Sequence, residues 1–463
     1  MVLLRRILPS FYCTSIGRAA HERKQRLVKI VQITAGAGGR ICGSCLHDNA
    51  LVRTLRQRGR EAMLVPAYVP TTSDEENVAE PIVVMGGVNV FLQQKSSLFR
   101  RTPRWIDWFF DRPVLLRALS RWTGNTRPAD LGPLTVSTLQ GEEGCQRKEV
   151  YRLAEWLARD VKPDVVHLSN VLLLGLAKTI RQTTGASLVV TLSGEDLFIS
   201  QLPEPYQHEV RELLVERAGD VDRFIALNQP YADRMQKILG CREECVTVIP
   251  HGIDPEGFPN DPPDLIARRT IRADRRVIGF LARACQEKGL DQVIQATACL
   301  VERGMDVELV AAGATIPAEE EYLLRCHTLA QELGIAERFC WRGQIDRNEK
   351  IDLLKEIDVF AMPTPVPEAK GIPVIEAMAA GVPVVASASG AFPELLGIHE
   401  ASPAGDVHKP GDIADLARCL EEMLRNERRA VDCGMAGHAR VRKQYQSHHM
   451  AAAHESLYEE VRR

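Results

Sequence analysis

Short apolar runs alternate with helical segments along this chain, and the whole series occurs twice. The first series begins with the apolar run 28–33 and ends with 246–249, and the second begins at 277–281 and ends at 382–386. This alternation is typical of parallel strands joined by crossover helices. It predicts an α/β fold in which two Rossmann-like domains face each other across a cleft.

The strands of each series are predicted from the apolar runs. In the first series they are expected at 28–33, 62–67, 82–85, 88–92, 164–168, 188–192, 224–227 and 246–249. In the second series they are expected at 277–281, 307–311, 358–361 and 382–386. Helical patterns separate most of the later runs, as a parallel sheet requires.

A proline- and glycine-rich segment, 255–263, lies between the two series and is typical of a linker. We therefore predict an N-terminal domain over 27–254 and a C-terminal domain over 255–440. The helical pattern in 441–463 predicts a last helix that crosses back to the N-terminal domain. Residues 1–26 carry six basic side chains and one acidic side chain, and we interpret them as a disordered tail.

Charge and cysteine content exclude several classes of protein. The net charge of −3 gives no reason to expect a nucleic-acid partner. No run approaches the roughly 20 apolar residues that span a bilayer, and 12 scattered cysteines do not resemble a secreted disulfide framework. These features predict a cytoplasmic protein with reduced thiols.

The strongest motif is the stretch 367–385, which contains Glu368 and Glu376. Pro373 suits the first turn of a helix, because its missing N–H is not needed there. The N–H groups of Gly371 and Ile372 then suit a phosphate or sugar oxygen. Glu368 precedes the helix and Glu376 is expected in its first turn, so both carboxylates are predicted to face one pocket and to accept hydrogen bonds from vicinal hydroxyls.

A second motif, 279–289, follows the first strand of the second series. Ligands of open α/β sheets bind beyond the carboxyl ends of the strands. Arg283 and Lys288 are predicted at that edge, where two cations suit a diphosphate that leaves as an anion.

These two motifs, in this order, resemble those of the retaining glycosyltransferases of family four, which have the GT-B fold. The stretch 248–254 is similar to the hinge of that family, and the glycine-rich loop after the first strand to its diphosphate loop. The resemblance implies a donor site in 255–440 and an acceptor domain in 27–254. It assigns the donor ribose to Glu376, the sugar hydroxyls to Glu368, and the diphosphate to Arg283, Lys288, Gly38 and Gly39, with Arg283, Lys288 and Glu368 as the catalytic set.

The chain departs from the family pattern in the first half. Ser193 stands where the family often has a histidine, and His251 replaces an asparagine of the hinge. The predicted acceptor-side candidates are His167, Ser193, Glu195 and Asp196. The stretches 68–70 and 86–91 are similar to glycogen and starch synthases, but the lysine that those enzymes carry near the glycine loop is missing here.

The expected reaction moves a hexose from a nucleotide-diphosphate sugar to a hydroxyl of a glycan, a lipid-linked acceptor or a small molecule. The departing diphosphate accepts the proton of the acceptor, so no side-chain nucleophile is needed. We expect no cofactor and no metal, since no Asp-x-Asp motif accompanies the donor site.

Alternatives remain open at this point. A sugar-nucleotide epimerase shares the architecture, and Cys42 and Cys45 have the spacing of a redox pair. A nicotinamide oxidoreductase is disfavoured, because the loop 36–41 lacks the third required glycine. The tryptophan- and arginine-rich stretch 99–122 is interpreted as a surface helix pair, as an acceptor-binding surface, or as a peripheral contact with the inner membrane face.

Overall fold

The computed structural model describes residues 27–36, 42–86, 90, 93–94, 131–261 and 275–462. Several predicted features lie outside these residues, namely the tail 1–26, Gly38 and Gly39, most of the run 88–92, and the stretch 99–122. In the described part of the chain, no helix has the length and apolar character that crossing a membrane demands.

The first sheet has six parallel strands in the order β2-β1-β3-β4-β5-β6. They are β1 (Lys29–Thr34), β2 (Glu61–Pro66), β3 (Val165–Leu168), β4 (Ser187–Leu192), β5 (Arg223–Ala226) and β6 (Val246–Val248). The helices that accompany them are α1 (Gly43–Gln57), α2 (Gly132–Gln140), α3 (Arg147–Trp156), α4 (Ala177–Thr184), α5 (Glu195–Ser200), α6 (Tyr206–Ala218) and α7 (Gln229–Leu239).

The second sheet also has six parallel strands, in the order β12-β11-β10-β7-β8-β9. They are β7 (Arg276–Leu281), β8 (Val307–Ala312), β9 (Phe339–Trp341), β10 (Val359–Met362), β11 (Val384–Ser387) and β12 (Gly405–His408). Its helices are α8 (Leu290–Glu302), α9 (Glu320–Glu332), α10 (Arg347–Glu356), α11 (Ile372–Ala379), α12 (Phe392–Leu396), α13 (Ile413–Arg425) and α14 (Glu427–Gln444), and α15 (Ser447–Val461) follows. The prediction of two α/β sheets is confirmed.

Both faces of the first sheet are covered, which explains its continuous apolar strands. Along β4, Val190 belongs to one buried cluster and Val189 to another on the opposite face. The second cluster includes Met450, Leu457 and Tyr458 of α15. The last helix therefore supplies part of the layer that covers the N-terminal sheet.

The chain passes between the domains twice, and the two passages run side by side. Ile253 receives a hydrogen bond from the Ser447 N–H at 2.8 Å and donates one to the Tyr445 carbonyl at 2.9 Å. A Cβ at Gly252 would stand 2.5 Å from the carbonyl oxygen of Gln446. Glycine in the hinge therefore allows the two segments to touch.

Two predicted details are wrong, and two strands of the second sheet were not predicted. The run 82–85 is not a strand: Val83 and Met85 are buried, but this segment beyond β2 forms no ladder with the sheet. Strands β9 and β12 escaped prediction because they are short edge strands with partly exposed residues. Glu376 is the fifth residue of α11 and therefore lies in its second turn, not its first.

Candidate active site

The segment between β10 and α11 forms one wall of the cleft. Gly371 caps α11 with φ of 68°, a conformation that favours glycine. A Cβ there would also come within 2.3 Å of the Leu395 side chain. The backbone thus turns sharply at Gly371 into α11. The first N–H groups of this helix, including that of Ile372, have no acceptor within the helix. This is the helix start that the motif predicts.

Lys288 and Glu368 form the central ion pair of the site. Lys288 ends a short turn after β7, and its Nζ donates to Glu368 Oε2. The N–H of Lys370 donates to Glu368 Oε1 at 3.1 Å. Burial alone would raise the pKa of Glu368, but the Lys288 ammonium and the Lys370 N–H bring that pKa down to about 2. Glu368 is therefore an anion at neutral pH and suits hydroxyl binding better than proton donation.

Arg283 lies beyond the same end of β7 but has a different partner. Its guanidinium contacts Glu319 Oε1 at 2.9 Å, and about half of its side chain is exposed. The two predicted cations thus stand on the same sheet edge, and each is paired with its own carboxylate.

Glu376 is buried and held by a lysine that lies outside both sequence motifs. Lys350, on α10, contacts Glu376 Oε1 at 2.6 Å and Asp74 Oδ2 at 2.7 Å. Burial would lower the pKa of Lys350, but the two carboxylates raise it above its usual range. Because Asp74 belongs to the N-terminal domain, one ammonium links that domain to the predicted ribose-binding glutamate.

Further charges continue this link. Arg53 contacts both Glu75 at 3.1 Å and Asp254 at 2.5 Å, and Arg347 contacts Glu75 at 3.1 Å. All four side chains are largely buried, which makes them a network rather than isolated surface pairs. No sequence signal indicated it, since Arg53 and Asp254 are 201 residues apart.

Ser193, the residue at the position of the family histidine, is fastened in place. Its N–H donates to Glu195 Oε2 at 2.8 Å and its hydroxyl to Glu195 Oε1 at 3.0 Å. The Tyr231 hydroxyl also donates to Glu195, at 3.1 Å. Glu195 is therefore occupied in holding the loop after β4, with Ser193 at the cleft.

A cavity of about 340 Å³ lies between α7 and the wall that carries Glu368. Arg234 and Lys237 line it from α7, and Gly390 lines it from the opposite domain. Asp196 contacts the Arg234 Nε at 2.7 Å. Asp196 is thus paired with a cation that lines the cavity.

His167 requires a correction, because it does not face the cleft. The side chain is fully buried, and its two ring nitrogens are hydrogen-bonded to the Tyr458 hydroxyl and the Thr191 hydroxyl, each at 2.7 Å. The α15 helix covers this strand end. His167 is therefore a packing residue and does not belong to the acceptor side of the cleft.

The segment between β10 and α11 also contacts the first domain. Asn228 donates from Nδ2 to the Ala369 carbonyl at 2.7 Å, and Lys370 donates from Nζ to the Ser193 carbonyl. A Cβ added to Gly43, at the start of α1, would stand 3.3 Å from Lys370 Cδ. The aliphatic part of Lys370 therefore lies directly over the first turn of α1.

Gly390→Ala tests how tightly the Glu368 loop is held. A Cβ at Gly390 would stand 2.4 Å from both the N and the O of Glu368, and φ is +60°. We expect the free energy of unfolding to fall by about 2–3 kcal/mol, because a backbone clash adds to the strain of φ. Chemical denaturation measures this change.

Gly411→Ala is the matched control, since Gly411 has φ of +76° but open space around it. Only the conformational cost of about 1 kcal/mol is expected there. Equal losses in the two variants would contradict the proposed close contact between Gly390 and Glu368.

Comparison with known families matches both halves of the chain. Residues 263–440 match the family described as "Glycosyl transferases group 1". Residues 139–256 match the family described as "Glycosyltransferase Family 4". The first match contains the Lys288–Glu368 pair and Glu376, and the second contains Ser193 and the cavity face of α7.

Several curated proteins are similar over part of their length. The 2-deoxystreptamine glucosyltransferase of Streptomyces kanamyceticus is 26% identical over 57% of this chain and 66% of its own length. A GDP-mannose-dependent phosphatidylinositol monomannoside mannosyltransferase of Mycolicibacterium smegmatis is 29% identical over 57% and 67%. The D-inositol 3-phosphate glycosyltransferase of the same organism is 28% identical over 61% and 60%. The alignments thus span about two thirds or less of these three relatives.

Solved structures share the fold over nearly the whole chain. Sucrose-phosphate synthase from Thermosynechococcus elongatus has a TM-score of 0.67 at 18% identity, covering 93% of this chain and 98% of that one. The Anabaena protein HepE in complex with UDP has a TM-score of 0.63 at 19% identity, covering 94% and 100%. The architecture is therefore the two-domain GT-B fold, and with both family matches the chain belongs to the family-four glycosyltransferases.

Proposed function

We propose that the protein transfers a hexose, with retention at the anomeric carbon, from a nucleotide-diphosphate sugar to an acceptor hydroxyl. The observation that carries this proposal is the Lys288–Glu368 ion pair beside the start of α11, with Glu376 in the same helix. The pair places a cation and a permanent carboxylate together at the sheet edge where ligands of α/β proteins bind.

In the proposed complex the donor spans the cleft from the second domain. Glu376 accepts hydrogen bonds from the ribose hydroxyls, and the contact with Lys350 orients its carboxylate. Glu368 accepts hydrogen bonds from the hexose hydroxyls. One similar protein is named as GDP-mannose-dependent and another has been solved in complex with UDP-glucose, which supports a nucleotide sugar as the donor class here.

The chemical step depends on stabilising the leaving diphosphate. Lys288, Arg283 and the N–H groups of Gly371 and Ile372 are the proposed donors to its oxygens, and such groups stabilise developing charge most when they are pre-oriented. An oxygen of the departing diphosphate then takes the proton of the acceptor hydroxyl. Glu368, with a pKa of about 2, remains ionised throughout. The scheme uses neither a cofactor nor a metal.

We propose that the acceptor approaches from the domain 27–254. Ser193 lies at the cleft, and Arg234, paired with Asp196, lines the neighbouring cavity of about 340 Å³. The names of similar proteins mention 2-deoxystreptamine, which is an aminocyclitol, a phosphatidylinositol monomannoside and an inositol phosphate. A hydroxyl on a sugar or cyclitol is the chemistry that these molecules share.

The donor is tested by thermal-shift and hydrolysis screening against UDP-, GDP-, ADP- and TDP-sugars. One class of donor is expected to raise Tm by about 3–6 °C at 100 times its Kd, because binding to the folded state adds about 2.7 kcal/mol of stability. Glu376→Ala is expected to abolish most of this shift, since the ribose loses its acceptor.

Glu332→Ala is the control for this measurement, because Glu332 is an exposed glutamate at the end of α9. It is expected to retain the full shift. Absence of a response to every nucleotide sugar, or an equal shift in Glu376→Ala and the wild type, would contradict the proposed donor site.

A further inference from the structure

Two cysteines lie at the first turn of α1, beside the interdomain contact. Cys42 is the N-cap residue of the helix, with φ of −129° and ψ of 131°, and Cys45 is its third residue. Cys42 is partly exposed, whereas Cys45 is 2% exposed. The donor-binding scheme above uses neither thiol.

The surroundings of Cys42 favour a thiolate. The Cys45 thiol donates a hydrogen bond to the Cys42 sulfur and is the main reason that the pKa of Cys42 is well below its usual range, with the Lys370 ammonium and the N–H groups of Cys45 and Ser44 acting in the same direction. The same hydrogen bond, together with burial, raises the pKa of Cys45. One member of the pair is thus the nucleophile and the other keeps its proton.

Lys370 connects the cysteine pair to the segment between β10 and α11, which carries Glu368. This residue comes from the second domain, lies over Gly43, and donates to the Ser193 carbonyl. Its own N–H holds Glu368. Ser44, next to the pair, contacts the Ser193 hydroxyl at 3.3 Å. A change of charge at Cys42 therefore alters the electrostatic environment of Lys370, which contacts both Ser193 and Glu368.

We infer that Cys42 and Cys45 form a redox modification site, at which a hydroperoxide converts the dithiol to a disulfide and weakens donor binding. The effect on donor binding rests on the proposed function, whereas the thiol chemistry does not. A cysteine pair at this spacing and at a helix start is a suitable arrangement for such a couple.

The reaction balances in two steps. The Cys42 thiolate attacks the peroxide oxygen, the O–O bond breaks, and Cys42 becomes a sulfenic acid as hydroxide or an alkoxide leaves. The Cys45 sulfur then attacks the Cys42 sulfur, the S–O bond breaks, and the hydroxyl departs with the Cys45 proton as water. Two thiol sulfurs are oxidised and one peroxide is reduced.

The physical consequence follows from charge. The disulfide removes the negative charge that faces Lys370, and it tightens the backbone at Cys42, which directly follows the predicted diphosphate loop in sequence. We expect a five- to tenfold rise of the donor Kd on oxidation, fully reversed by dithiothreitol.

The thiol chemistry is tested on the full chain by iodoacetamide labelling with peptide mass spectrometry. Cys340 is the internal control, because it is an exposed cysteine of the second domain. At pH 6.5, Cys42 is expected to react at least tenfold faster than Cys340, and Lys370→Met is expected to slow Cys42 alone. Slower reaction at Cys42 than at Cys340 would overturn the site.

The disulfide and its effect are measured separately. Hydrogen peroxide is expected to remove the mass of two hydrogens from the peptide that contains both cysteines, and in Cys45→Ser to leave a sulfenic acid that dimedone traps. If the disulfide forms and the donor Kd is unchanged, the regulatory link is wrong. If the disulfide forms but no nucleotide sugar binds the reduced protein, the redox site stands and the proposed function fails.

Discussion

Lys288→Ala is expected to lower kcat/KM for sugar transfer by about 10²–10³-fold, which corresponds to about 3–4 kcal/mol of transition-state stabilisation. The ammonium of Lys288 forms an ion pair with Glu368 and is proposed to face the leaving diphosphate. Its removal leaves both the diphosphate charge and the Glu368 carboxylate without this partner. Steady-state kinetics with the donor found by screening measures the effect.

Lys355→Ala is the matched control, since Lys355 is an exposed lysine of the same domain that pairs with Asp352, three residues before it. Exposed pairs of this kind contribute at most about 1 kcal/mol to stability. The kcat/KM of Lys355→Ala is therefore expected to match that of the wild type. Circular dichroism of both variants separates loss of function from loss of fold. If Lys288→Ala retained more than about a third of wild-type kcat/KM, Lys288 would not be a diphosphate ligand.

Acidification from pH 7 to pH 5 is expected to destabilise the protein strongly, because four histidines are buried where hinge, α1, β3 and α15 meet. The ring nitrogens Nδ1 of His47 and His251 are 2.8 Å apart, and the rings of His47 and His167 lie 6.1 and 5.7 Å from that of His454. Water does not reach these rings, so a proton on any of them is costly.

Stability is expected to fall with pH because the pKa values of the buried histidines are lowered in the folded state. Burial lowers the pKa of His251 to about 3 and of His454 to about 4, and it lowers the pKa of His47 and His167 well below the usual value. The unfolded chain binds more protons below about pH 6.5, so stability falls as the pH falls. For His251 and His454 the loss between pH 7 and pH 5 is about 2 kcal/mol each.

Neighbouring charges change the loss of stability that is expected from the histidines. Burial raises the pKa of Asp48 to about 7, so this carboxyl takes up a proton in the folded state and offsets about 2 kcal/mol. The Lys370 ammonium acts in the same direction as burial on His47 and His251. We therefore expect a net loss of at least about 2 kcal/mol by pH 5, since His47 and His167 add to it.

Urea denaturation at pH 7, 6 and 5 measures the loss. His251→Asn, which restores the hinge residue common in the family, is expected to make the pH dependence shallower by close to one proton. His208→Asn provides the comparison, because His208 is an exposed side chain on α6. A free energy of unfolding that is equal at pH 5 and pH 7, or an unchanged slope in His251→Asn, would contradict the assignment of buried neutral histidines.

The features that the sequence predicts well are those with a local signature. The strand β7 and the helix α11 follow from apolar periodicity and from Gly371 and Pro373 at a helix start. The sequence places Lys288 shortly after β7 and Glu368 shortly before α11. The structure brings the two side chains together as an ion pair. Their roles in binding and catalysis stay predictions until the variants are measured.

The sequence alone determined that the chain forms two parallel α/β sheets, because strand and helix periods are written in the order of apolar residues. Only the tertiary structure decided what surrounds the motifs: Lys350 between Glu376 and Asp74, Lys370 over the turn that holds Cys42, and His167 closed off by α15. These partners are far apart in sequence and carry no periodic signal. Packing of one domain against the other brings them together, so their contacts emerge only when both are folded.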